Sequence, residues 1–426
     1  MAACGLDFGT SNTTLGLATA GRPSLSPLEG AHRTIPSAIF FRPGHEAVIG
    51  RAAISAYVEG EPGRLMRSLK SVLGSSLIEE STPVGRERLR FREVIARYLG
   101  AVKSRAEAAG GVELDTVVHG RPVHFVDGDE AGDRKAEDTL RAIAGEVGFR
   151  HVRFQYEPIA AALDYEQSVA SEEIALIADI GGGTSDFSIV RLSPERHRRA
   201  DRAEDILAND GVRIGGTDFD RRLSLGTVMP LMGLGSPMKR ADLLVPNGYF
   251  HDLATWSSIN RLYDRKVFRE LEEVARDAAR PELIDRLRTV VEAERGHALA
   301  MAVEGAKIAA SDSDDGRIDL DWVEAGLVVA VDRAGLARQT DTLAERVAER
   351  IGRCLAQAGL TAAGIDAIFL TGGSTGLPHV RAALCASVPE ARVVDGDTFG
   401  SVGVGLAIEA ARQFGPVRVL AGADAG

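Results

Sequence analysis

The sequence predicts an α/β fold made by duplication, two lobes of one plan on either side of a cleft. Three observations predict it. One grammar, an apolar run ending in Asp, a Gly and hydroxyl turn and a second apolar run, occurs twice. It is Cys4-Gly5-Leu6-Asp7-Phe8-Gly9-Thr10-Ser11-Asn12-Thr13-Thr14-Leu15 near the start, and Ala175-Leu176-Ile177-Ala178-Asp179-Ile180-Gly181-Gly182-Gly183-Thr184-Ser185-Asp186-Phe187-Ser188-Ile189 in the second half. The 426 residues are enough for about three structural units at the usual domain size. A composition of 45% hydrophobic and 26% charged residues is that of an ordinary globular chain.

Charge and cysteine content exclude several classes. Fifty Lys and Arg against 61 Asp and Glu give a net charge of −11, which disfavours phosphate backbones and anionic membranes as non-specific partners. Cys4, Cys354 and Cys385 are few, odd in number and far apart, as expected of small buried hydrophobes in a reducing compartment. The N-terminus MAACGLDFGTSN lacks a basic region followed by a long apolar run, so a cytoplasmic location is expected.

Each repeated segment reads as a β-hairpin. Glycines at such a turn let backbone N–H groups approach a phosphate, and Thr or Ser hydroxyls add donors beside them. Asp at the strand end repels phosphate but suits a hydrated Mg²⁺, which prefers oxygen ligands and keeps several waters. Either hairpin alone is as readily a plain tight turn; a facing pair would clamp a polyphosphate. The chain has no Gly-Lys dipeptide, hence no P-loop, and no G-x-G-x-x-G follows a predicted strand. A third glycine site, Leu370-Thr371-Gly372-Gly373-Ser374-Thr375-Gly376-Leu377-Pro378, follows an apolar strand and precedes a helix that Pro378 starts. It is a candidate nucleoside seat.

These three motifs, in this order, resemble the nucleotide-binding domain of the seventy-kilodalton heat-shock protein chaperones, in the actin and sugar-kinase superfamily. The resemblance implies a duplicated actin-like ATPase fold, two lobes around a central nucleotide cleft, each with an inserted subdomain. It extends to Arg67-Ser68-Leu69-Lys70-Ser71-Val72-Leu73-Gly74, similar to the family segment carrying the catalytic lysine. Tyr156-Glu157-Pro158-Ile159-Ala160-Ala161-Ala162-Leu163 is similar to the segment whose Glu reaches the magnesium-bound water. Ile214-Gly215-Gly216-Thr217-Asp218-Phe219-Asp220 looks like the entry to the lid. Glu304-Gly305-Ala306-Lys307-Ile308-Ala309-Ala310-Ser311 resembles the adenosine-lining helix, and Asp397-Thr398-Phe399-Gly400-Ser401-Val402-Gly403 the last family motif. Glu304, Lys307 and Ser311, at i, i+3 and i+7, share a helical face.

The resemblance implies ATP or ADP and Mg²⁺ as cofactors. Gly9, Thr10, Ser11, Asn12, Gly181, Gly182, Gly183 and the amide of Thr184 are expected on the phosphates. Gly215, Gly216, Glu304, Lys307, Ser311, Gly372, Gly373, Ser374 and Asp397 are expected around the rest of the nucleotide. Asp7 and Asp179 would hold Mg²⁺ through water, and Glu157 and Asp186 would order the attacking water. Lys70 would place positive charge at the γ-phosphate, completing with Glu157, Asp179, Asp186 and Thr184 the expected catalytic set. Slow Mg-dependent ATP hydrolysis driving lobe closure is the expected activity. A nucleotide-gated interaction module with little hydrolysis and a small-molecule kinase on the same fold are the alternatives.

Two departures bear on the nucleoside. Ile308 and Gly376 stand where the family usually has Arg, removing guanidinium stacking from the base site. The expected organisation is lobe I over 1–168 and lobe II over 169–426, with a helical lid insertion at about 217–311. No peptide-binding domain is expected, as in YegD-like relatives of the family. Beyond the nucleotide the expected partner is an unidentified protein, with no nucleic acid, no membrane and a monomeric state.

The remaining features read as structure. In FRELEEVARDAARPELIDRLRTVVEAERGHALAMAVEGAK, Leu283, Leu287, Val290 and Val291 form one helical stripe. Ser311 to Asp321 resembles a calcium loop in outline, but its Gly falls one position early and Val323 stands where Glu is needed, so a hairpin turn before RIDLDW is expected. Asp127, Asp129, Glu130 and Asp133 read as a solvated acidic loop, and Tyr249, Phe250 and Trp256 as packing residues. The nine histidines show no zinc spacing.

Overall fold

The computed structural model describes residues 2–415, apart from 19–22, 85–86, 127–128, 200, 241 and 396–399. Two sheets of the same plan dominate it. The strands Ala3–Phe8, Asn12–Ala18, Pro23–Leu25, Thr116–Arg121 and His151–Tyr156, numbered one to five along the chain, lie in the order 5-4-1-2-3. The strands Glu173–Ile180, Ser185–Leu192, Ile206–Val212, Ala367–Thr371 and Arg392–Asp395 repeat that order. In both sheets strands one to three are antiparallel neighbours, and strands four and five join the first in parallel. The short strand Thr34–Pro36 also pairs with Asn12–Ala18.

The helices repeat as well. Phe91–Gly110 and Glu130–Glu146 lead into strands four and five of the first sheet, and Arg333–Ala358 and Pro378–Ser387 into those of the second. A parallel neighbour requires such a crossover. One further helix follows each sheet, Glu157–Glu166 and Ser401–Phe414. These two cross so tightly that a Cβ on Gly405 would run into the Ala160 carbonyl, which restricts the crossing to glycine.

The first sheet buries Leu6, Phe8, Leu15 and Leu17 with Val94, Ile95, Tyr98 and Leu99 of Phe91–Gly110. Ile177, Val190 and Phe369 of the second pack on Ile159 and Leu163 of Glu157–Glu166. Strand alternation and the helix stripe supply matching apolar faces, so burial selects this pairing. Cys4 and Cys354 are buried and free, their thiols pushed up by burial.

The chain divides into two compact units. The first comprises 1–213, 350–373 and 384–426 and holds both large sheets; the second comprises 214–349 and 374–383. The lobe boundary read at 168–169 falls inside the first. In the second, the long charged stretch forms three helices, Arg265–Asp277, Pro281–Glu292 and Gly296–Ser313. Pro281 opens the middle one at its first turn, where a missing N–H costs nothing, and Leu283, Leu287, Val290 and Val291 are buried. Asp314, left-handed, ends the third, so a helix end stands where a hairpin turn before RIDLDW is expected, and Gly316–Asp319 pairs instead with the later strand Val328–Val331. Phe250 is buried and Trp256 stacks edge-on against His297.

The acidic loop is exposed as expected at Asp129 and Glu130 and differs from its expectation at Asp133. Asp129 caps Glu130–Glu146 through the amides of Ala131 and Gly132, and Asp133 is buried. Local N–H donors satisfy both carboxylates, so they are structural anchors; Asp127 lies outside the described residues. Among the described residues no helix is long and apolar enough to cross a membrane.

Candidate functional site

The site begins at the two hairpin turns of the first unit. Each closes by the same bond, Gly9 N–H to the Asn12 carbonyl at 3.0 Å and Gly181 N–H to the Thr184 carbonyl at 2.9 Å. Ser37 braces the first turn, its hydroxyl donating to the Gly9 carbonyl at 2.7 Å and its amide to the Ser11 carbonyl at 2.8 Å. The turns face each other closely: a Cβ on Gly182 would strike the Ser11 hydroxyl. Glycine is required there by space, and the result is a cradle of backbone amides and hydroxyls between Thr10-Ser11-Asn12 and Gly181-Gly182-Gly183.

Strand register brings the acids together beneath the turns. Asp7 lies opposite Thr14, while Asp179 is paired with Asp186 across its hairpin and with Thr371 on its parallel side. The Thr371 side chain hydrogen-bonds Asp179, and the Thr184 hydroxyl donates to Asp186 Oδ2 at 2.9 Å. Gly372, at φ 81°, turns the chain away directly after Thr371, where a Cβ would meet the Asp179 carboxylate.

Lys70 enters from the short 3-10 helix Leu69–Val72, preceded by Ser68 in the left-handed region at φ 56°. Its Nζ donates to Glu157 Oε1 at 2.5 Å. Glu157 is the first residue of its helix and Pro158 the second, so the acid sits at the positive end of the helix dipole.

The cluster is overloaded with negative charge. Burial, then Glu157 and Asp179, push the Asp7 carboxyl up to about 8, with Lys70 opposing. Burial, then Asp179, push Asp186 up to about 7, and Asp179 is raised by burial and Glu157. Burial works against the Lys70 ammonium, but Glu157, Asp7 and Asp186 hold it above its ordinary range. Four carboxylates around one ammonium are short of positive charge.

A cavity opens beside the cluster, lined by Glu157, Asp179, Asp186, Thr371, His124 and Asn209 among others. Among the described residues no group of three or more His, Cys, Asp and Glu side chains could hold a metal directly. A hydrated Mg²⁺ would fit Asp7 and Asp179 through its own waters, and the raised carboxyls are those a cation would relieve.

The other expected residues lie in the second unit or at its edge. Gly215 precedes the helix Gly216–Thr227, its amide donating to Asp218 at 3.0 Å. Lys307 is buried and paired with Asp220 at 2.8 Å, and Ser311 donates to the Lys307 carbonyl at 2.9 Å. Glu304 is instead exposed, as is Ile308. Gly373 starts the 3-10 turn Gly373–Gly376, in which Ser374 is buried. Asp397 lies outside the described residues.

Sequence reasoning missed Thr371, Ser37, Asp220 and His124. Thr371 was legible as the residue before Gly372-Gly373 on a strand parallel to the Asp179 strand. Ser37 reaches the Gly9 turn across 28 residues and carried no local signal.

Comparison with known proteins places the chain in a family. A family model described as Hsp70 protein matches residues 3–225 and 268–419. Among curated proteins, the chain is similar to "Chaperone protein HscA homolog" of Laribacter hongkongensis (strain HLHK9), 27% identical across 96% of this chain and 58% of that protein. The chain thus spans somewhat over half the length of the relative it matches. The paired glycine hairpins, the acids at their strand ends and a family match across most of the length make this chain a member of the Hsp70 family.

Proposed function

We propose that this chain binds ATP in the first unit's cradle and hydrolyses it slowly, in the cytoplasm and as a monomer, using the change in nucleotide to alter its engagement of a protein partner. The observation that carries the reading is the Lys70–Glu157 pair at 2.5 Å amid Asp7, Asp179 and Asp186, beneath two facing glycine turns.

The turn amides, that of Thr184 included, and the Thr10 and Ser11 hydroxyls donate to phosphate oxygens. Asp7 and Asp179 hold the hydrated Mg²⁺, which when bound neutralises phosphate charge. Lys70 is raised above its ordinary range and stays charged, so it stabilises negative charge spreading over the γ-phosphate oxygens. Glu157 and Asp186 accept hydrogen bonds from the attacking water. Because phosphoryl transfer depends on positioning and electrostatics, no covalent intermediate is needed.

In single-turnover hydrolysis, Lys70→Ala is expected to slow the chemical step about 10²-fold or more while calorimetry shows ATP still bound. An unchanged step removes Lys70 from the mechanism. One observation favours the alternative of a nucleotide-gated module with little hydrolysis: Glu157 already neutralises part of the Lys70 charge that a γ-phosphate would draw on. Nucleotide binding without phosphate release in the wild type selects that alternative.

A further inference from the structure

We propose that His124, oriented by Asp133, is the proton outlet of this site: through water in the shared cavity it takes up the proton that hydrolysis leaves near Glu157 and Asp186, and releases it to solvent. The proposal rests on the hydrolysis reading.

The placement is built, not incidental. His124 lies just past the strand Thr116–Arg121, on the segment Pro122-Val123-His124 that lines the same cavity as Glu157, Asp179 and Asp186. Its Nδ1 is 3.0 Å from Asp133 Oδ2. The other oxygen of Asp133 accepts the amides of Phe125 at 2.5 Å and Val126 at 3.0 Å. One buried carboxylate thus fixes both the loop and the ring. With Nδ1–H donating to Asp133, Nε2 is left as the acceptor, and an imidazole ordered by a carboxylate is the usual arrangement of a proton-transfer histidine. The side chain is 48% exposed, so one ring is in contact with the cavity and with bulk water. The ionisable groups around it are Asp133 on its helix and Glu157, Asp179 and Asp186 on the cavity wall. Neighbouring Arg121 is already paired with Glu137.

The step balances. Water oxygen bonds to the γ-phosphorus, the bond from phosphorus to the ADP oxygen breaks, and the surplus proton of the attacking water is taken by a carboxylate. It passes through water to Nε2, giving imidazolium, and leaves from Nε2 to solvent, which returns the ring to neutral. Asp133 acts only through His124 and is a positioning residue.

The test is single-turnover ATP hydrolysis by the full chain from pH 6 to 9, for wild type, His124→Gln and Asp133→Asn, with and without added imidazole. His124→Gln is expected to slow turnover about tenfold near pH 7, to lose the acid limb of the profile and to recover most of its rate with imidazole, with ATP affinity unchanged. Asp133→Asn is expected to shift the profile and recover less. A wild-type profile in His124→Gln, or a loss that imidazole does not restore, overturns the outlet while leaving hydrolysis intact. A wild type that binds ATP without releasing phosphate overturns the hydrolysis reading and the outlet with it.

Discussion

Asp7 shows how a single carboxylate records what a site is for. A strand-end acid with a water-facing edge would ordinarily ionise near pH 4, yet burial and the neighbouring Glu157 and Asp179 raise it to about 8. The consequence for stability has a definite sign. Between the unfolded and folded values the native state binds more protons than the unfolded chain, so stability is fully present below about pH 4 and is lost as pH rises through 8. Asp186 adds to this up to about 7, but its exposed edge screens it, so Asp7 carries the larger share. In the metal-free protein, Asp7→Asn is expected to be more stable than wild type above pH 8, by on the order of 1 kcal/mol after discounting for solvent. The difference should vanish near pH 4. Denaturant melts at the two pH values check it, and equal midpoints at pH 8.5 would remove the crowding. The acids themselves were legible in the sequence, because each follows an apolar run and precedes a glycine turn. Their mutual repulsion was not, since it depends on the register that sets Asp179 against Asp186.

At the scale of the element, the helix Glu157–Glu166 joins two charged systems. It starts at the Lys70 partner and ends at Glu166, which is buried and held by Arg202 through two bonds of 2.9 Å. Glu166 also accepts the Ser193 amide at 3.0 Å, and Arg202 is paired with Asp205, itself paired with Arg196. Arg202→Ala leaves two buried carboxylates short of their cation, and a loss of about 3–5 kcal/mol is expected. Replacing Glu166, Arg202 and Asp205 together by apolar residues of similar volume should recover most of it, because desolvation of the whole set then disappears. Urea unfolding of the two variants decides the matter, and an equal loss in both would mean that shape, not charge, holds the segment. The sequence gives no sign of this network: PERHRRADRAED reads as solvated charge, and only tertiary burial separates Arg202 from the exposed Arg198 and Arg199. The hairpins and the Pro281 helix were legible for the opposite reason, since glycine, proline and apolar spacing act locally.

For the whole molecule, the residues expected around a nucleotide are divided in sequence between two compact units. The amide cradle, Lys70, Glu157 and the three aspartates belong to the first unit, whereas Glu304, Lys307 and Ser311 belong to the second. The second is also where the family match is interrupted, between residues 225 and 268, and where Lys307 is tied to Asp220 and Glu304 is exposed. A ligand that binds only the native state stabilises what it touches by mass action, about 2.7 kcal/mol at a hundredfold excess over Kd. Magnesium pyrophosphate has only the phosphate portion and is expected to raise the melting of the first unit alone. ATP with Mg²⁺ carries the nucleoside too, and is expected to raise the first unit's melting further, by several degrees, in scanning calorimetry. An ATP trace identical to that of pyrophosphate would leave phosphate recognition by the hairpins as the whole of the binding.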